Sequence, residues 1–515
     1  MLSSVFSAGL SGIDGYIVTV ESDAKKKIPS LELVGLPDAA IKEAKERVRA
    51  ACENSGYIFP AMALTVNLAP ADKKKEGSAF DAAILSSILA ASGIITDADF
   101  SDKCIVGELS LSGTLRPVRG VLCMCAAAKD AGLREFYCPA VCAPEASAVE
   151  GIKIFPVHNM RQLVDHLSGI RPIEPINPKK IKPYEDSVYG VDLSDVKGQI
   201  VAKRALEIAA AGGHNILFIG PPGTGKSMLA KRLPTILPPL DFEEAIVTTK
   251  IHSVSGILPE GSSLVSARPF RSPHHTMSAV SLVGGGINPM PGEVSLAHNG
   301  VLFLDELPEF PKTVTDSLRQ PLEDGKVTIT RAAGRVTFPC SFMLVAAMNP
   351  CRCGYYGHPT KKCTCRPGDV KRYISKISGP LLDRMDIQIE VPSLTYEEIS
   401  ASKIPSESSA TVRERVIEAR KFAAERLRRA GETKKIFCNA QMGPAEIRKY
   451  CVMDDEASEM LKNAYELLGL SARGYDRVMR LARTVADLDK SDIIKVNHIA
   501  EAIHFRTLDR KYVPD

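Results

Sequence analysis

The sequence predicts a multidomain α/β protein with an α+β N-terminal domain, an α/β domain built on a parallel sheet, and a helical C-terminal region. A chain of 515 residues is too long to bury a single hydrophobic core. Short apolar runs alternate with amphipathic segments up to about residue 392, and only helical periodicity continues beyond it. A stretch rich in proline and lysine divides the alternating region into two expected domains.

Residues 1–168 form the first predicted domain. Prolines and lysines between residues 169 and 190 then predict an extended linker. The second domain is expected at 191–392, and its opening helix runs to Ala211. In the first domain, strand-like runs alternate with helix-like segments: strands at 16–20, 63–67 and 103–106, and helices at 38–55, 80–92 and 120–131.

Composition narrows the classes of function. Hydrophobic residues make up 45% and charged residues 24%, as in a folded protein, and the net charge of +4 is nearly neutral for this length. Contact with nucleic acid would therefore need a local basic lining. Residues 1–16 lack a basic start and no apolar run could span a bilayer, so we expect neither a signal peptide nor a membrane partner. The 13 cysteines are expected to be thiols or metal ligands, which favours a cytoplasmic location.

The most informative stretch is an apolar run at 216–219 that leads into a glycine-rich loop and then a helical pattern. In this context, loop N–H groups and the helix N-terminus are suited to hold phosphate oxygens. Lys226 is expected to reach the β- and γ-phosphates, and the Ser227 hydroxyl to ligate Mg²⁺. The sequence thus predicts a nucleoside triphosphatase. The predicted nucleotide-binding residues are Gly220, Pro221, Pro222, Gly223, Thr224, Gly225, Lys226, Ser227 and Met228.

Two further apolar runs end in polar residues. The run at 300–304 is followed by Asp305 and Glu306, and the run at 342–347 by Asn349. The carboxyl ends of parallel strands meet at one edge of a sheet, which would bring these residues to the glycine loop. We expect Asp305 to hold Mg²⁺ through water, Glu306 to activate the attacking water, and Asn349 to bind the γ-phosphate or that water. The alternative is that the two acids only cap the next turn.

Three further motifs surround the second apolar run: Arg268-Pro-Phe-Arg-Ser-Pro-His-His-Thr276, Gly284-Gly-Gly286 and Pro291-Gly-Glu-Val-Ser-Leu-Ala-His-Asn-Gly-Val-Leu-Phe-Leu-Asp-Glu-Leu307. Together they resemble the magnesium-chelatase branch of AAA+ ATPases. With the N-terminal domain and a cysteine-rich insertion at 351–365, essentially the whole chain is similar to the YifB/ComM-type subfamily. The resemblance implies ATP as fuel, a homo-oligomeric ring that we expect to be a hexamer, and a link to DNA branch migration in natural transformation.

The same resemblance implies roles for three polar residues. Asn349 stands at the sensor-1 position. Arg384, between Asp383 and Asp386, is suited to act in trans on the γ-phosphate of a neighbouring subunit. Arg477, in a Gly-x-x-Arg pattern, has the form of sensor 2, and whether it acts in cis or in trans stays open. Residues 393–515 are expected to be the helical lid that presents it.

A possible contact surface for DNA precedes the third strand. Residues 326–338 alternate apolar and polar around a glycine-containing turn, which predicts a hairpin. Lys326, Arg331 and Arg335 could contact DNA phosphates without regard to sequence. The alternative is an ordinary solvated hairpin face.

The insertion contains the pairs Cys351-x-Cys353 and Cys363-x-Cys365. Four thiolates on one short loop predict a structural Zn²⁺ site, and the alternative is a set of reduced thiols. His274 and His275 are adjacent on a chain expected to be extended, where side chains point to opposite faces, so we assign them no chemistry.

The N-terminal domain contains the segments Glu76-Gly-Ser-Ala79 and Gly107-Glu-Leu-Ser-Leu-Ser-Gly-Thr-Leu-Arg-Pro-Val118. These segments resemble parts of the Lon protease domain (ribosomal protein S5 domain 2-like). Leu122 stands where that family has the lysine base of a serine–lysine dyad, and a serine without its base is a weak nucleophile. We therefore predict no peptidase activity and expect Ser78 to cap a helix or to pack.

Taken together, the sequence predicts a Mg²⁺-dependent ATPase ring that translocates on single-stranded, forked or branched DNA, with helicase-like branch migration as the outcome. The main alternative is a metal-chelatase-like or protein-remodelling motor that acts on a protein partner. A Lon-like peptidase is disfavoured by Leu122.

Overall fold

The computed structural model describes residues 1–96, 98–176, 189–331, 334–395, 406–432, 436 and 438–506. The chain divides into two compact units. Unit 1 comprises residues 1–183 and 241–266, and unit 2 comprises residues 184–240 and 267–515. Most of the predicted linker, residues 177–188, lies outside the described residues. Within the described part of the chain, every helix is too short or too polar to cross a membrane.

Unit 1 is built on a seven-stranded mixed sheet with the strand order β3-β4-β2-β1-β5-β8-β9. Its strands are β1 Leu2–Ser11, β2 Asp14–Lys25, β3 Ser30–Val34, β4 Ala63–Ala69, β5 Lys103–Ile105, β6 Glu108–Leu109, β7 Leu115–Arg116, β8 Glu135–Pro139 and β9 Lys153–Val157, of which β6 and β7 form a separate pair. Its first helices are α1 Ala39–Asn54, α2 Asp81–Ala91, α3 Val121–Asp130, α4 Ala143–Ala146 and α5 Met160–Leu167. The three predicted strands and three predicted helices of this region are confirmed, whereas β1 is a strand that the sequence analysis did not assign.

Helices cover both faces of this sheet. Because successive strand residues point to opposite faces, neighbours in β5 enter different cores: Cys104 packs with residues of α3, and Ile105 packs with residues of α1 and α2. Both side chains are fully buried. Unit 1 therefore has a hydrophobic core on each side of its sheet.

Unit 2 contains a five-stranded parallel sheet with the order β11-β14-β17-β10-β18. The strands are β10 Ile216–Ile219, β11 Phe270–Arg271, β12 Gly284–Gly285, β13 Met290–Pro291, β14 Val301–Leu304, β15 Lys326–Arg331, β16 Gly334–Pro339, β17 Met343–Met348 and β18 Ile387–Glu390. Pairs β12–β13 and β15–β16 are antiparallel hairpins outside the main sheet. All residues of β10, β14 and β17 are buried, as expected for the centre of a parallel sheet covered on both faces.

The helices from residue 200 onward are α6 Ile200–Gly212, α7 Lys226–Ile236, α8 Phe242–Ser255, α9 Ala279–Val283, α10 Glu293–Leu296, α11 Lys312–Ser317, α12 Arg319–Asp324, α13 Pro367–Ile374, α14 Gly379–Leu382, α15 Ser409–Arg429, α16 Pro444–Tyr450, α17 Asp455–Leu468, α18 Ala472–Leu488 and α19 Val496–His504. Short 3₁₀ turns lie at Leu193–Asp195, Leu307–Glu309 and Asn439–Gln441. The predicted helical C-terminal region is confirmed by α15 to α19.

The segment 241–266 was not predicted to leave the second domain, yet it belongs to unit 1. Its helix α8 starts at an Asp241 capping box and packs on α3. Ser253 in α8 donates to the Glu145 carboxylate at 2.5 Å and accepts from the Gly120 N–H at 2.9 Å. A part of the chain between α7 and β11 therefore belongs to unit 1 and is bonded to it through Ser253.

Candidate nucleotide-binding site

A polar cleft of about 400 Å³ lies at the carboxyl edge of the parallel sheet in unit 2, a size typical of small-molecule sites. Strand β17 lies between β10 and β14, so the residues that follow all three strands meet at this edge. The described residues that line the cleft are Pro222, Gly223, Thr224, Gly225, Lys226, Ser227, Met228, Asp305, Glu306, Met348 and Asn349. The cleft thus brings the predicted glycine loop, both acids and the asparagine together.

Lys226 and Ser227 connect the loop to the other two strands. The Lys226 ammonium donates to the Asn349 side-chain oxygen at 3.2 Å and to the backbone oxygens of Gly220 and Pro221 at 2.8 Å. The Ser227 hydroxyl donates to the Asp305 carboxylate at 2.6 Å. Gly220 and Pro221, two of the nine predicted binding residues, hold the lysine through their backbone and do not line the cleft.

The loop needs its glycines. Gly223 and Gly225 have φ angles of +80° and +87°, a conformation that side chains other than glycine rarely adopt. At Gly220 a Cβ atom would lie 2.2 Å from the Val391 carbonyl oxygen, so this position has no room for a side chain. The loop backbone is therefore free to turn tightly and to present its N–H groups at the start of α7.

The ammonium of Lys226 is held in a partly desolvated position. Its residue is 8% exposed, and burial lowers the pKa of Lys226 to about 8 even though Asp305 and Glu306 act in the opposite direction. An anionic group bound in the cleft would favour the charged form and restore a higher pKa. The site is thus electrostatically suited to a phosphate.

His275 is a residue of this site to which the sequence analysis assigned no chemistry. Its Nδ1 atom lies 3.7 Å from the Glu306 carboxylate. The expectation that His274 and His275 point to opposite faces is wrong, because their ring centroids are 4.1 Å apart. The backbone of this stretch turns after β11, which pairs with β14, and that pairing brings His275 beside Glu306, the second residue after β14. The motif that contains His275 does not by itself predict the contact with Glu306. That contact depends on the strand order, which sequence periodicity does not give.

Two predicted arginines lie outside the set of described residues that line the cleft. Arg384 donates to the Glu323 carboxylate at 2.7 Å. Arg477, on α18, is 7% exposed and has nitrogen atoms 3.7 Å from the carboxylates of Asp383 and Asp386. Burial lowers the pKa of Arg477, whereas these two aspartates raise it. The two arginines therefore belong to one neighbourhood, joined by the acids on either side of Arg384.

The predicted hairpin is confirmed as β15 and β16, and residues 332 and 333 lie outside the described part of the chain. Lys326, Arg331 and Arg335 are all exposed. Their positions in the register separate them: Lys326 and Arg335 share the polar face, whereas Arg331 is on the face of the buried Ile329. Arg331 donates to the Gly286 carbonyl at 3.5 Å, and Gly286 lies between strands β12 and β13.

The four predicted cysteine ligands form a single cluster. The sulfur atoms of Cys351, Cys353, Cys363 and Cys365 all lie within 4.8 Å of one another. Three of the sulfur pairs are 3.3 to 3.7 Å apart. Tetrahedral zinc with four sulfur ligands at about 2.3 Å requires sulfur–sulfur separations of about 3.8 Å, so the cluster fits such an ion.

In unit 1, Ser78 does not cap a helix, so the first of the two roles expected for it is wrong. Helix α2 begins at Asp81 after Phe80, and the Ser78 hydroxyl instead donates to the Glu108 carboxylate. Leu122 is fully buried, and its backbone N–H donates to Glu145 at 2.8 Å. The polar partner of Ser78 is thus an acid.

Family models match three segments of the chain. Models of the magnesium-chelatase subunit ChlI match residues 192–399, a further model of subunit ChlI of Mg-chelatase matches residues 20–141, and the ChlI C-terminal model matches residues 406–506. A more distant similarity, 27% identity over 199 residues, links 33% of the chain to 30% of the magnesium-chelatase 67 kDa subunit of Heliobacterium mobile.

Two full-length relatives are more similar. The chain is 42% identical over 512 residues to the uncharacterized protein YifB of Escherichia coli, and 42% identical over 514 residues to the competence protein ComM of Haemophilus influenzae. Each alignment covers 99% of this chain and 98% of the relative. The chain therefore belongs to the YifB/ComM family of magnesium-chelatase-like proteins.

Proposed function

We propose that this protein is a Mg²⁺-dependent ATPase of the AAA+ class that works as a homo-oligomeric ring, expected to be a hexamer, and translocates on DNA. One observation carries the ATPase: the cleft assembles Lys226, Ser227, Asp305, Glu306 and Asn349 at the carboxyl edge of a parallel sheet. This set of groups matches the needs of phosphoryl transfer, which depends on positioning and charge stabilisation.

Each group has a distinct task in this proposal. Lys226 and the loop N–H groups bind the β- and γ-phosphates, and Asn349 orients the γ-phosphate or the attacking water. Ser227 and Asp305 offer the oxygen ligands that Mg²⁺ prefers, and their oxygens already lie 2.6 Å apart. The bound ion would neutralise charge on the phosphates. Glu306, with a partly exposed carboxylate, accepts the proton of the water.

A ring is supported by the position of Arg384. Its guanidinium is paired with Glu323 and contributes nothing to the cleft lining within the described residues, so any action on a γ-phosphate would come from a neighbouring subunit. Arg477 shares that neighbourhood, which favours action in trans for both. We expect Arg384→Ala to bind ATP but hydrolyse it poorly, with the ring still assembled by light scattering. A chain that remains monomeric with ATP and Mg²⁺ would contradict the ring.

DNA is the proposed track because exposed cations lie on the β15–β16 hairpin, and because one full-length relative is named a competence protein. Lys326 and Arg335 share a face with Thr328 and Thr337, whose hydroxyl oxygens are 3.0 Å apart. Such a polar and basic face suits phosphate contacts without base specificity. The outcome that we propose is helicase-like branch migration of recombination intermediates.

The experiment is an ATPase assay with single-stranded, duplex, forked and four-way DNA. We expect stimulation by at least one form, with the stimulation decreasing as salt increases. Lys326→Glu/Arg335→Glu should remove the stimulation and leave ATP hydrolysis without DNA unchanged. The control is Arg428→Glu, on the solvent face of α15, which reverses the charge of one exposed residue outside the hairpin. Failure of every DNA form to stimulate hydrolysis would exclude DNA translocation and favour a protein partner.

For unit 1 we propose a Lon-like fold without peptidase activity. The Ser78 hydroxyl is engaged by Glu108, and Leu122 cannot accept a proton. ATP-dependent cleavage of casein that disappears in Ser78→Ala would contradict this. We also propose that the four-cysteine cluster binds a structural Zn²⁺ ion, since its sulfur separations fit a closed tetrahedral site.

A further inference from the structure

The four-cysteine loop is attached to the nucleotide cleft at its beginning. Cys351 is fully buried and follows Asn349 by two residues, so the first proposed zinc ligand is almost continuous with the asparagine that bonds Lys226. Residues 351–366 contain turns and no helix or strand of their own. A segment of this length without secondary structure needs another source of order, and a metal ion that joins its two ends would supply it.

The same loop also packs against the phosphate-binding loop. Gly354 has a φ angle of +85°, and a Cβ atom at this position would lie 2.6 Å from the Pro222 ring. The Gly354 backbone therefore rests directly on a residue that lines the cleft. On another side, His358 Nε2 lies 3.2 Å from the Ser393 hydroxyl, which follows β18 by three residues. The loop thus bridges the ends of two strands that flank the site.

The end of the cysteine loop leads to a second contact with Asn349. Helix α13 begins two residues after Cys365. Its Tyr373 is 7% exposed, and the backbone of Asn349 is close enough to the Tyr373 hydroxyl to oppose, in part, the rise in pKa that burial causes. The asparagine is consequently fixed from both ends of the loop, at Cys351 through the chain and at α13 through Tyr373.

From these contacts we infer that a Zn²⁺ ion held by Cys351, Cys353, Cys363 and Cys365 braces the nucleotide site, so that metal occupancy controls nucleotide affinity. The ion closes the loop at both ends, and the closed loop holds Pro222 and Asn349 where they contact the nucleotide. Without the ion, the loop opens and both groups lose their support. This inference rests on the proposed nucleotide site.

Fluorescent mant-ATP binding and metal analysis together test the brace. We expect about one zinc per wild-type chain and no iron. Cys351→Ser/Cys363→Ser should lose the zinc and weaken mant-ATP binding by about tenfold, because groups that the loop no longer holds must then be ordered on binding. Cys438→Ala, outside the cluster, is the matched control and should keep both properties. Wild-type protein without zinc after purification under reducing conditions would overturn the inference.

Two further measurements separate a brace from a general loss of folding. Zinc removed from the wild-type protein by a chelator should lower mant-ATP affinity, and added Zn²⁺ should restore it. Gly354→Ala keeps all four thiols but forces a methyl group against Pro222, so it should retain zinc and still bind mant-ATP more weakly. Unchanged affinity in the metal-free protein or in Gly354→Ala would overturn the brace. A wild-type chain that binds zinc but not mant-ATP would instead refute the proposed function.

Discussion

The polar side chains near Ser78 and Asp81 in unit 1 and those near Lys226 in unit 2 have different surroundings. In unit 1, Arg47 and Asp81 form a bidentate pair at 2.9 and 3.1 Å, with Asp81 only 1% exposed, and the Ser78 hydroxyl is bonded to Glu108. These groups satisfy one another within the fold. In unit 2, Lys226, Ser227 and Asn349 converge on an open cleft at strand ends. Buried polar groups that only satisfy each other contribute to structure, whereas polar groups that share an accessible cleft can act on a ligand.

The largest expected effect separates chemistry from binding inside unit 2. Glu306→Gln removes the proton acceptor but keeps the shape of the side chain, so we expect kcat for ATP hydrolysis to fall by about 10²- to 10⁴-fold with mant-ATP affinity unchanged. Glu309→Gln, three residues away and paired with Lys376, is the control and should turn over normally. Normal turnover in Glu306→Gln would remove Glu306 from the mechanism.

A second variant tests whether binding belongs to unit 2 alone. Lys226→Ala removes a buried cation from the phosphate site, and we expect a loss of about 3 kcal/mol in binding, roughly a hundredfold in mant-ATP affinity. Ser78→Ala in unit 1 should leave affinity and hydrolysis at wild-type values. Equal losses in the two variants would contradict the contrast between the units.

The pKa of Lys226 gives the contrast a pH dependence. Burial lowers this pKa to about 8, so the free protein loses the charge as the pH rises through 8, whereas bound phosphate favours the charged form. Mant-ATP affinity should therefore be constant at lower pH and decrease above pH 8 by up to about tenfold per pH unit. Lys226→Arg keeps its charge in this range, so its profile should be flat. A flat wild-type profile would show that the lysine stays charged without nucleotide.

The smallest effect concerns His275. A contact between exposed polar side chains is worth about 0 to 1 kcal/mol, so loss of the 3.7 Å contact to Glu306 should lower kcat by no more than about fivefold. Nucleotide affinity should not change in His275→Ala, and His275→Gln, which can still donate a hydrogen bond, should recover part of the rate. His274→Ala is the control, because His274 contacts Thr276 and not the carboxylate. An equal decrease in both alanine variants would indicate a structural role for the pair.

The sequence predicted the centre of unit 2 well because its signals are local. The polar residues of the cleft lie in the loops or at the helix start that follow apolar runs of four to six residues, and parallel strands bring the ends of these runs to one edge. The two Cys-x-Cys pairs could also be recognised because the cysteines of each pair are close together in the sequence. The contact between Lys226 and Asn349, 123 residues apart in the chain, followed from strand ends alone.

The features that were not predicted from the sequence depend on the order of the strands in the sheet and on which face of a strand a side chain occupies. His275 reaches Glu306 because β11, only two residues long, pairs with β14. The separation of Lys326 from Arg331 could have been predicted, since the two differ by five positions and an odd spacing places strand side chains on opposite faces. The ion pairs of Arg477 join α18 to the loop after α14, a long-range contact that no periodicity encodes.

The placement of α8 in unit 1 limits how this protein can be divided for experiments. Cutting the chain within the predicted linker at 169–190 would leave residues 241–266 on the fragment that carries the candidate nucleotide site, and would separate the buried Ile251 and Val254 from the rest of unit 1. Those side chains and Ser253 would then face water. On the other fragment, the Glu145 carboxylate would lose the hydrogen bond that the Ser253 hydroxyl donates to it. A shortened protein that lacks the N-terminal domain is thus expected to be prone to aggregation. Removing residues 241–266 together with that domain should prevent this aggregation.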